Sequence, residues 1–184
     1  MPDRPLVTIA TDGACPGNGT DAATGGWGWV TTDGECDSGG EPAPSTNNRM
    51  ELTAVREALA AYPDCDVRII TDSKLIVDTF TRWLDGWKAR GMRKGDGKPV
   101  KNADLILGID RLLAGRAVTW QHVRGHRGHI LNEAADRLAT EAAARFIGAP
   151  PPVRDFICQD CFLTRPTTQL GLMNATGVTC LDCL

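Results

Sequence analysis

The chain opens on strict alternation. In residues 5–12, Val7, Ile9 and Thr11 fall on one side and Leu6, Thr8, Ala10 and Asp12 on the other, which is the period of a strand. Residues 25–40 carry Trp27, Trp29 and Val30 and then Thr31-Thr32-Asp33-Gly34. An Asp-Gly pair between two such runs signals a hairpin, so the first three strands are predicted as an antiparallel meander. The period changes over 47–62, where Val55, Ala58, Leu59 and Tyr62 recur at helical spacing in an Ala-rich, glycine-free segment closed by Pro63. Residues 66–71 are β-rich and predict a buried strand, and Asp72-Ser73 offers a cap for a helix over 74–81. Residues 83–101 are Trp-rich and basic, with Gly91, Gly95, Gly97 and Pro99 breaking the period. A helix over 102–113, a strand over 117–123 and a long Ala-rich helix over 132–146 follow. This order predicts a mixed sheet with helices on its faces.

Composition narrows the class. Of 184 residues, 42% are hydrophobic and 23% charged, which excludes wholesale disorder and fibrous repeats. No stretch approaches the roughly 18 apolar residues of a membrane span. Met1-Pro2-Asp3-Arg4 lacks the apolar core of a secretion signal, so a soluble, cytoplasmic protein is expected, with no membrane partner. The net charge is −3, and any nucleic-acid binding must come from local charge. Residues 82–101 supply it: seven basic side chains against Asp85 and Asp96, a local charge of +5, with Trp83 and Trp87 interleaved. That mixture suits gripping phosphates and stacking on sugars or bases. The competing reading is a solvated amphipathic helix with core tryptophans.

At 148–153, Gly-Ala-Pro-Pro-Pro-Val favours an extended, semi-rigid linker. The predicted organisation is a catalytic domain over 1–147, a Pro-rich linker over 148–155 and a small module over 156–184. The module holds Cys158-x-x-Cys161, eighteen intervening residues and Cys180-x-x-Cys183. Two such pairs are a zinc signature: four thiolates satisfy one tetrahedral Zn²⁺, and about thirty residues bury too little core to fold without it. Redox-active dithiols are the rival, but these belong in a larger α/β domain. Four thiolates leave no open coordination position, so the expected zinc is structural. With Arg154 and Arg165 against Asp155, Asp160 and Asp182, the module presents no strong phosphate-binding surface. Docking on the catalytic domain or contact with a protein partner is the expectation.

Four acids stand out among 23. Asp12 ends the first strand, and Asp72 ends the buried strand 66–71. Glu51 lies in the first turn of its helix on the face of Val55 and Ala58, and Asp136 lies in the second turn of the last helix. Each has an ordinary reading: an Asp-Gly turn for Asp12, an N-cap for Asp72, a capping box with Asn48 for Glu51, and a solvated residue near the positive helix end for Asp136. Taken together, strand ends and helix starts can bring distant acids into one cleft. Clustered carboxylates raise each other's pKa, and a divalent cation removes that penalty. Oxygen-only ligands suit Mg²⁺ or Mn²⁺, and two such ions about 3.5–4 Å apart can hydrolyse a phosphodiester.

An ordered set of motifs then points to a family. These are Thr11-Asp12-Gly13-Ala14-Cys15-Pro16-Gly17-Asn18, Thr46-Asn47-Asn48-Arg49-Met50-Glu51-Leu52, Thr71-Asp72-Ser73, Trp87-Lys88-Ala89-Arg90-Gly91, Pro99-Val100-Lys101-Asn102-Ala103-Asp104-Leu105, Val123-Arg124-Gly125-His126 and Asn132-Glu133-Ala134-Ala135-Asp136. Over residues 5–146 the sequence resembles type-one ribonuclease H of the bacterial kind. The resemblance implies a ribonuclease H-like α/β fold, with a five-stranded mixed sheet of three antiparallel and then parallel strands flanked by helices. It implies an endonuclease that hydrolyses the RNA strand of RNA–DNA hybrids to 5′-phosphomonoesters, using two Mg²⁺ ions, with Mn²⁺ as the alternative. It assigns metal binding to Asp12, Glu51, Asp72 and Asp136, and proton transfer at product departure to His126. Only the Val-x-Gly-His match separates His126 from His129. His122 is read as a packed or paired strand histidine.

By the same resemblance, Cys15, Asn18, Asn47 and Asn48 face the minor groove, where the 2′-hydroxyl separates RNA from DNA. Thr46 and Asn102 hold a DNA-strand phosphate. Trp83, Trp87, Lys88, Arg90 and Lys101 belong to a basic protrusion. Three departures from the family pattern are visible: Pro44-Ser45 where an Arg often precedes the Thr, Lys74 in place of a non-basic residue, and Met92 in place of Trp. A monomer is expected. The alternative from another class is an inert zinc-dependent nucleic-acid-binding or adaptor protein on a nuclease fold; the intact acids weigh against it.

Overall fold

The computed structural model describes residues 4–125 and 128–147, together with four short strands between 155 and 180. Its contacts divide the chain into two units, Met1–Ala149 and Pro150–Leu184. In the first unit the strands are β1 (Leu6–Ala14), β2 (Gly25–Thr31), β3 (Cys36–Glu41), β4 (Asp66–Thr71) and β5 (Val118–His122). They form one sheet in the order β3-β2-β1-β4-β5. The β1–β2 and β2–β3 pairs are antiparallel, and β1–β4 and β4–β5 are parallel. This is the predicted five-stranded mixed sheet. The helices are α1 (Asn47–Ala61), α2 (Lys74–Asp78), α3 (Leu84–Ala89), α4 (Ala103–Leu113) and α5 (Ile130–Ala144), with a π-helical turn over Thr79–Trp83 joining α2 to α3. Among the described residues, no helix is long and apolar enough to cross a membrane.

Alternation decides which helix covers which face. Ile9, Trp29, Val67 and Ile69 pack with Leu52, Val55 and Leu59 of α1, Ile76 of α2 and Leu105, Ile106 and Ile109 of α4. Ala10, Val30 and Ile70 face the other way and meet Ala135 of α5. Small residues on this second face let α5 lie close to the sheet. A Cβ on Gly26 would strike the backbone of Ala139 and Ala143. The Gly-Trp-Gly-Trp run of β2 thus sends bulk to one layer and leaves clearance for the other.

The structure revises several local expectations. Thr46, not Asn48, caps α1: its side chain accepts from the Arg49 amide at 3.3 Å. Ser73, not Asp72, caps α2. The helical path continues past residue 81 to Ala89, so Gly86 lies inside a helix and the irregular stretch begins near Gly91. There Met92 takes a positive φ of 58° and Arg93 bridges Pro99. The final helix starts at Ile130, two residues before its predicted start. Beyond α1, the Arg116 guanidinium donates to the carbonyls of Leu59, Tyr62 and Leu112 at 3.0, 2.6 and 2.6 Å, closing the α1 C-terminus.

In the second unit, β6 (Asp155–Ile157) pairs antiparallel with β7 (Thr164–Pro166), and β8 (Leu170–Asn174) with β9 (Gly177–Cys180). Of the four cysteines predicted to bind zinc, Cys180 ends β9, and Cys158, Cys161 and Cys183 lie outside the described residues.

Candidate active site

Asp12, Glu51, Asp72 and Asp136 all line one open cavity of about 390 Å³, with Gly13, Ala14, Cys15, Pro16 and Asn47 completing the wall. Each acid comes from a different element. Asp12 lies in β1 opposite Gly28. Glu51 lies in the second turn of α1, Asp72 just past β4, and Asp136 in the second turn of α5. Parallel pairing of β1 and β4 sets their C-terminal ends side by side, and such ends are where open α/β sheets place ligands. Close packing completes the approach. A Cβ on Gly13 would strike the backbone of Met50 and Glu51, so glycine after Asp12 lets α1 descend onto the strand.

The cavity carries electrostatic strain. Asp12 is buried, and its carboxyl accepts from its neighbour Gly13 N–H at 2.7 Å. That bond favours the anion, yet burial first, and then the charges of Asp72, Asp136 and Glu51, push its pKa up from 3.8 to about 7. Glu51 is raised as well, by burial first and by Asp72, against a hydrogen bond from Ser73. Ser73 Oγ donates to Glu51 Oε2 at 2.5 Å. One serine thus caps α2 and orients a site carboxylate. Sequence reasoning saw only the cap, because a bond across 22 positions leaves no local trace.

Asp72 is held from two sides. Its backbone carbonyl meets His122 Nε2 at 3.1 Å, which makes His122 the paired strand histidine that was expected. The chain after β5 then crosses close by, and a Cβ on Gly125 would collide with Asp72 Oδ2. His129 is the N-cap of α5, its Nδ1 accepting from Asn132 N at 3.4 Å. His126 lies outside the described residues.

Oxygen-only donors, with Asp12 and Glu51 raised by burial and by neighbouring acids, fit a hard divalent cation. The four carboxyls share a cavity without closing on a point: among the described residues, no three Asp, Glu, His or Cys side chains converge tightly enough to hold an ion as they stand.

A second cavity of about 390 Å³ is lined by Asn18, Thr46, Asn48, Lys101 and Asn102. It lies where α1 and α4 begin, so two positive helix ends contribute to it. The Asn47 amide donates to Asn18 Oδ1 at 3.2 Å, and Asn47 also lines the carboxylate cavity. Cys15 is buried there, its thiol pushed up by burial.

The tryptophans divide in role. Trp87 packs against the core, while Trp83 is 39% exposed, with ring centroids 5.5 Å apart. Lys88 and Arg90 line neither cavity. Lys88 Nζ pairs with Asp110 Oδ2 at 2.6 Å, and Arg90 Nε donates to the Arg93 carbonyl at 3.3 Å.

Comparison with known proteins adds a family to this geometry. Residues 4–144 match the family model described as RNase H. The chain is similar to Ribonuclease H of Cupriavidus necator, 51% identical over 137 residues, covering 72% of this chain and 92% of the relative. It is also similar to Ribonuclease HI of Pseudomonas aeruginosa PAO1, 46% identical over 148 residues, covering 78% and 97%. Among solved structures it resembles LC9-RNase H1, described as a type 1 RNase H with the type 2 active-site motif. The TM-score is 0.69 at 37% identity, covering 78% of this chain and 74% of that one.

Proposed function

The chain belongs to the ribonuclease H family, and from that premise we infer that it is an endonuclease that hydrolyses the RNA strand of RNA–DNA hybrids. The observation that carries the reading is the single cavity onto which four elements each bring one carboxyl. Asp12, Glu51, Asp72 and Asp136 are the metal-binding set. Two Mg²⁺ ions, or Mn²⁺, bound there would neutralise the cluster, activate a water and stabilise the leaving oxygen.

The chain's own residues do the rest. The raised pKa of Asp12 marks a place for a cation, because the ion replaces a proton that burial and then the neighbouring charges otherwise retain. Ser73 keeps Glu51 aimed into the cavity, and the His122 bond and the bare Cα of Gly125 fix Asp72. His126, between Gly125 and Gly128, moves a proton as product departs, and an imidazole near pKa 6.5 suits that step. Cys15, Asn18, Asn47 and Asn48 read the RNA 2′-hydroxyls. Thr46, Lys101 and Asn102 seat a DNA-strand phosphate in the second cavity. Trp83, Trp87, Lys88 and Arg90 extend the grip along the duplex.

Beyond the catalytic unit, the reading extends to one structural Zn²⁺ on Cys158, Cys161, Cys180 and Cys183. It is supported by the spacing of the two pairs and by the shortness of the segment, since about thirty residues bury too little core to fold without a metal. The module serves docking or contact with a protein partner, and the protein acts as a cytoplasmic monomer. Metal analysis of purified protein tests the zinc: about one Zn²⁺ per chain is expected, and none after Cys158→Ser with Cys180→Ser.

The activity is tested on matched RNA–DNA, RNA–RNA and DNA–DNA duplexes with Mg²⁺ and with EDTA. Metal-dependent cutting of only the hybrid's RNA strand is expected. No cutting by folded, zinc-loaded protein in Mg²⁺ or Mn²⁺ would overturn the reading.

A further inference from the structure

The phosphate seat has two walls from distant parts of the chain. One is Thr46 and Asn48 at the start of α1, and the other is Lys101 and Asn102 just before α4. Lys101 is the one charged residue in that lining; the others are amides and a hydroxyl. The Thr46 hydroxyl accepts from the Arg49 amide and keeps its own proton to donate to a phosphate oxygen. Pro44 and Ser45 stand just before it and supply no cation. Ser45 is buried and donates to Glu41 Oε1 at 2.8 Å. A seat built mainly of neutral donors depends on their spacing more than on long-range charge, because a neutral hydrogen bond weakens steeply once its geometry is lost.

That spacing is bridged by one side chain. Arg49 Nε lies 3.2 Å from Glu41 Oε1, and Arg49 Nη1 lies 3.4 Å from Asp104 Oδ2. Glu41 ends β3 and, through the same oxygen, holds Ser45, the residue before Thr46. Asp104 stands in the first turn of α4, two residues after Asn102. Arg49, Glu41 and Asp104 all lie outside the lining of the seat. Among the described residues, no other ion pair joins the two walls. As stabilisers these part-exposed pairs are weak, since exposed pairs contribute at most about 1 kcal/mol. Their geometric effect is larger: they set the distance between two groups that must meet one phosphate.

We propose that Arg49, together with Glu41 and Asp104, is a positioning residue that sets the spacing of the two walls of the phosphate seat and so governs affinity for the DNA strand. The inference rests on the assignment of that seat to a DNA phosphate. The test combines protein and substrate changes. Hybrids carrying a single neutral methylphosphonate linkage, scanned along the DNA strand, are cleaved by wild type, Arg49→Gln, Arg49→Lys and Asp104→Asn.

In wild type, one linkage should raise KM roughly tenfold with kcat nearly unchanged, the size of one lost charge-assisted contact. In Arg49→Gln, the all-phosphate hybrid should already show a KM raised roughly five- to tenfold, and the neutral linkage should then cost less than about twofold. Arg49→Lys should restore part of the dependence. Asp104→Asn should reproduce the loss from the opposite wall, which keeps the test intact if Arg49→Gln folds poorly. An undiminished methylphosphonate penalty in Arg49→Gln and Asp104→Asn, whatever their thermal stability, would overturn the positioning role. No sensitive linkage in wild type would overturn the seat assignment, and the inference with it, while leaving hybrid cleavage intact.

Discussion

Asp12→Asn should stabilise the protein when no divalent ion is present, and the gain should grow with pH. In the folded protein Asp12 holds its proton up to about pH 7, whereas its ordinary value is 3.8. Between those two values the unfolded chain has lost a proton that the native state keeps. Native stability therefore falls as pH rises through the window. At about 1.4 kcal/mol per pH unit, the full loss would be slightly above 4 kcal/mol, and water in the open cavity screens it to about 2. Asparagine does not titrate and keeps the shape, so the variant escapes the loss. Glu51, also raised, leaves a residual slope of the same sign in both proteins. The assay is urea unfolding without added Mg²⁺ or Mn²⁺ at roughly pH 4, 5.5 and 8, with m-values compared to exclude a change in the denatured state. The two proteins should coincide near pH 4 and differ by about 2 kcal/mol at pH 8, roughly 4–8 °C in Tm for a chain of this size. Saturating Mg²⁺ should stabilise wild type more than the variant. Parallel pH profiles, or a variant less stable at pH 8, would refute the claim that burial and neighbouring acids strain Asp12.

Glu51→Gln and Asp72→Asn should each lower cleavage by about 10³-fold or more while retaining hybrid binding in a gel-shift or polarisation assay; full turnover by either would remove that residue from the site. Gly125→Ala should cost roughly 10- to 100-fold in kcat/KM with little change in unfolding midpoint, because its methyl displaces the Asp72 carboxylate. Arg116→Ala should destabilise by about 2 kcal/mol without changing KM, since two carbonyls at the end of α1 and one in the last turn of α4 lose their donor, and chemical denaturation read beside kinetics separates the two.

Much of the fold could be read from local pattern, and the exceptions have physical causes. Alternation in β1, the Asp33-Gly34 hairpin signal after β2 and the β-rich segment of β4 identified the strands, and the two faces of this sheet meet different helices. Caps were less legible. Ser45-Thr46-Asn47-Asn48 offers four residues competent to cap α1, and only the backbone turn at Thr46, φ −145° and ψ 150°, selects one. Asp72-Ser73 poses the same ambiguity and resolves it usefully: the serine caps, which leaves the aspartate to the cavity. The helix running past residue 81 figured only in the competing amphipathic-helix reading, because Gly91, Gly95, Gly97 and Pro99 break the period of 83–101, and Gly86 inside the helix itself costs about 1 kcal/mol. Packing of Leu84 and Trp87 against the core, and of Phe80 on Trp120 at 4.9 Å, outweighs that propensity. The four carboxylates were legible as a set through their motifs. Ser73 on Glu51 and Arg49 between Glu41 and Asp104 were not, since neither contact exists until the fold brings the partners together.

A protein of net charge −3 that concentrates acids at its reactive centre must still hold a polyanion. The cavity alone would repel the hybrid, so attraction has to act elsewhere and at short range, because exposed charges are screened beyond about 8–10 Å. The structure separates the two tasks. The acids sit at strand ends and in the second turns of two helices, and the positive segment 82–101 is carried on α3 and the loop behind it. Two of its cations are engaged by acids outside the segment: Lys88 with Asp110, and Arg82 with Asp78. The effective charge offered to phosphate is therefore smaller than the +5 of the sequence. Placement has to make up the difference. Helix N-termini, amides and the Thr46 hydroxyl contribute donors without adding net charge, and they discriminate by position where a lysine-rich surface would not. A seat of this kind favours one register of the duplex over its neighbours, and register is what an enzyme with a fixed carboxylate cavity requires.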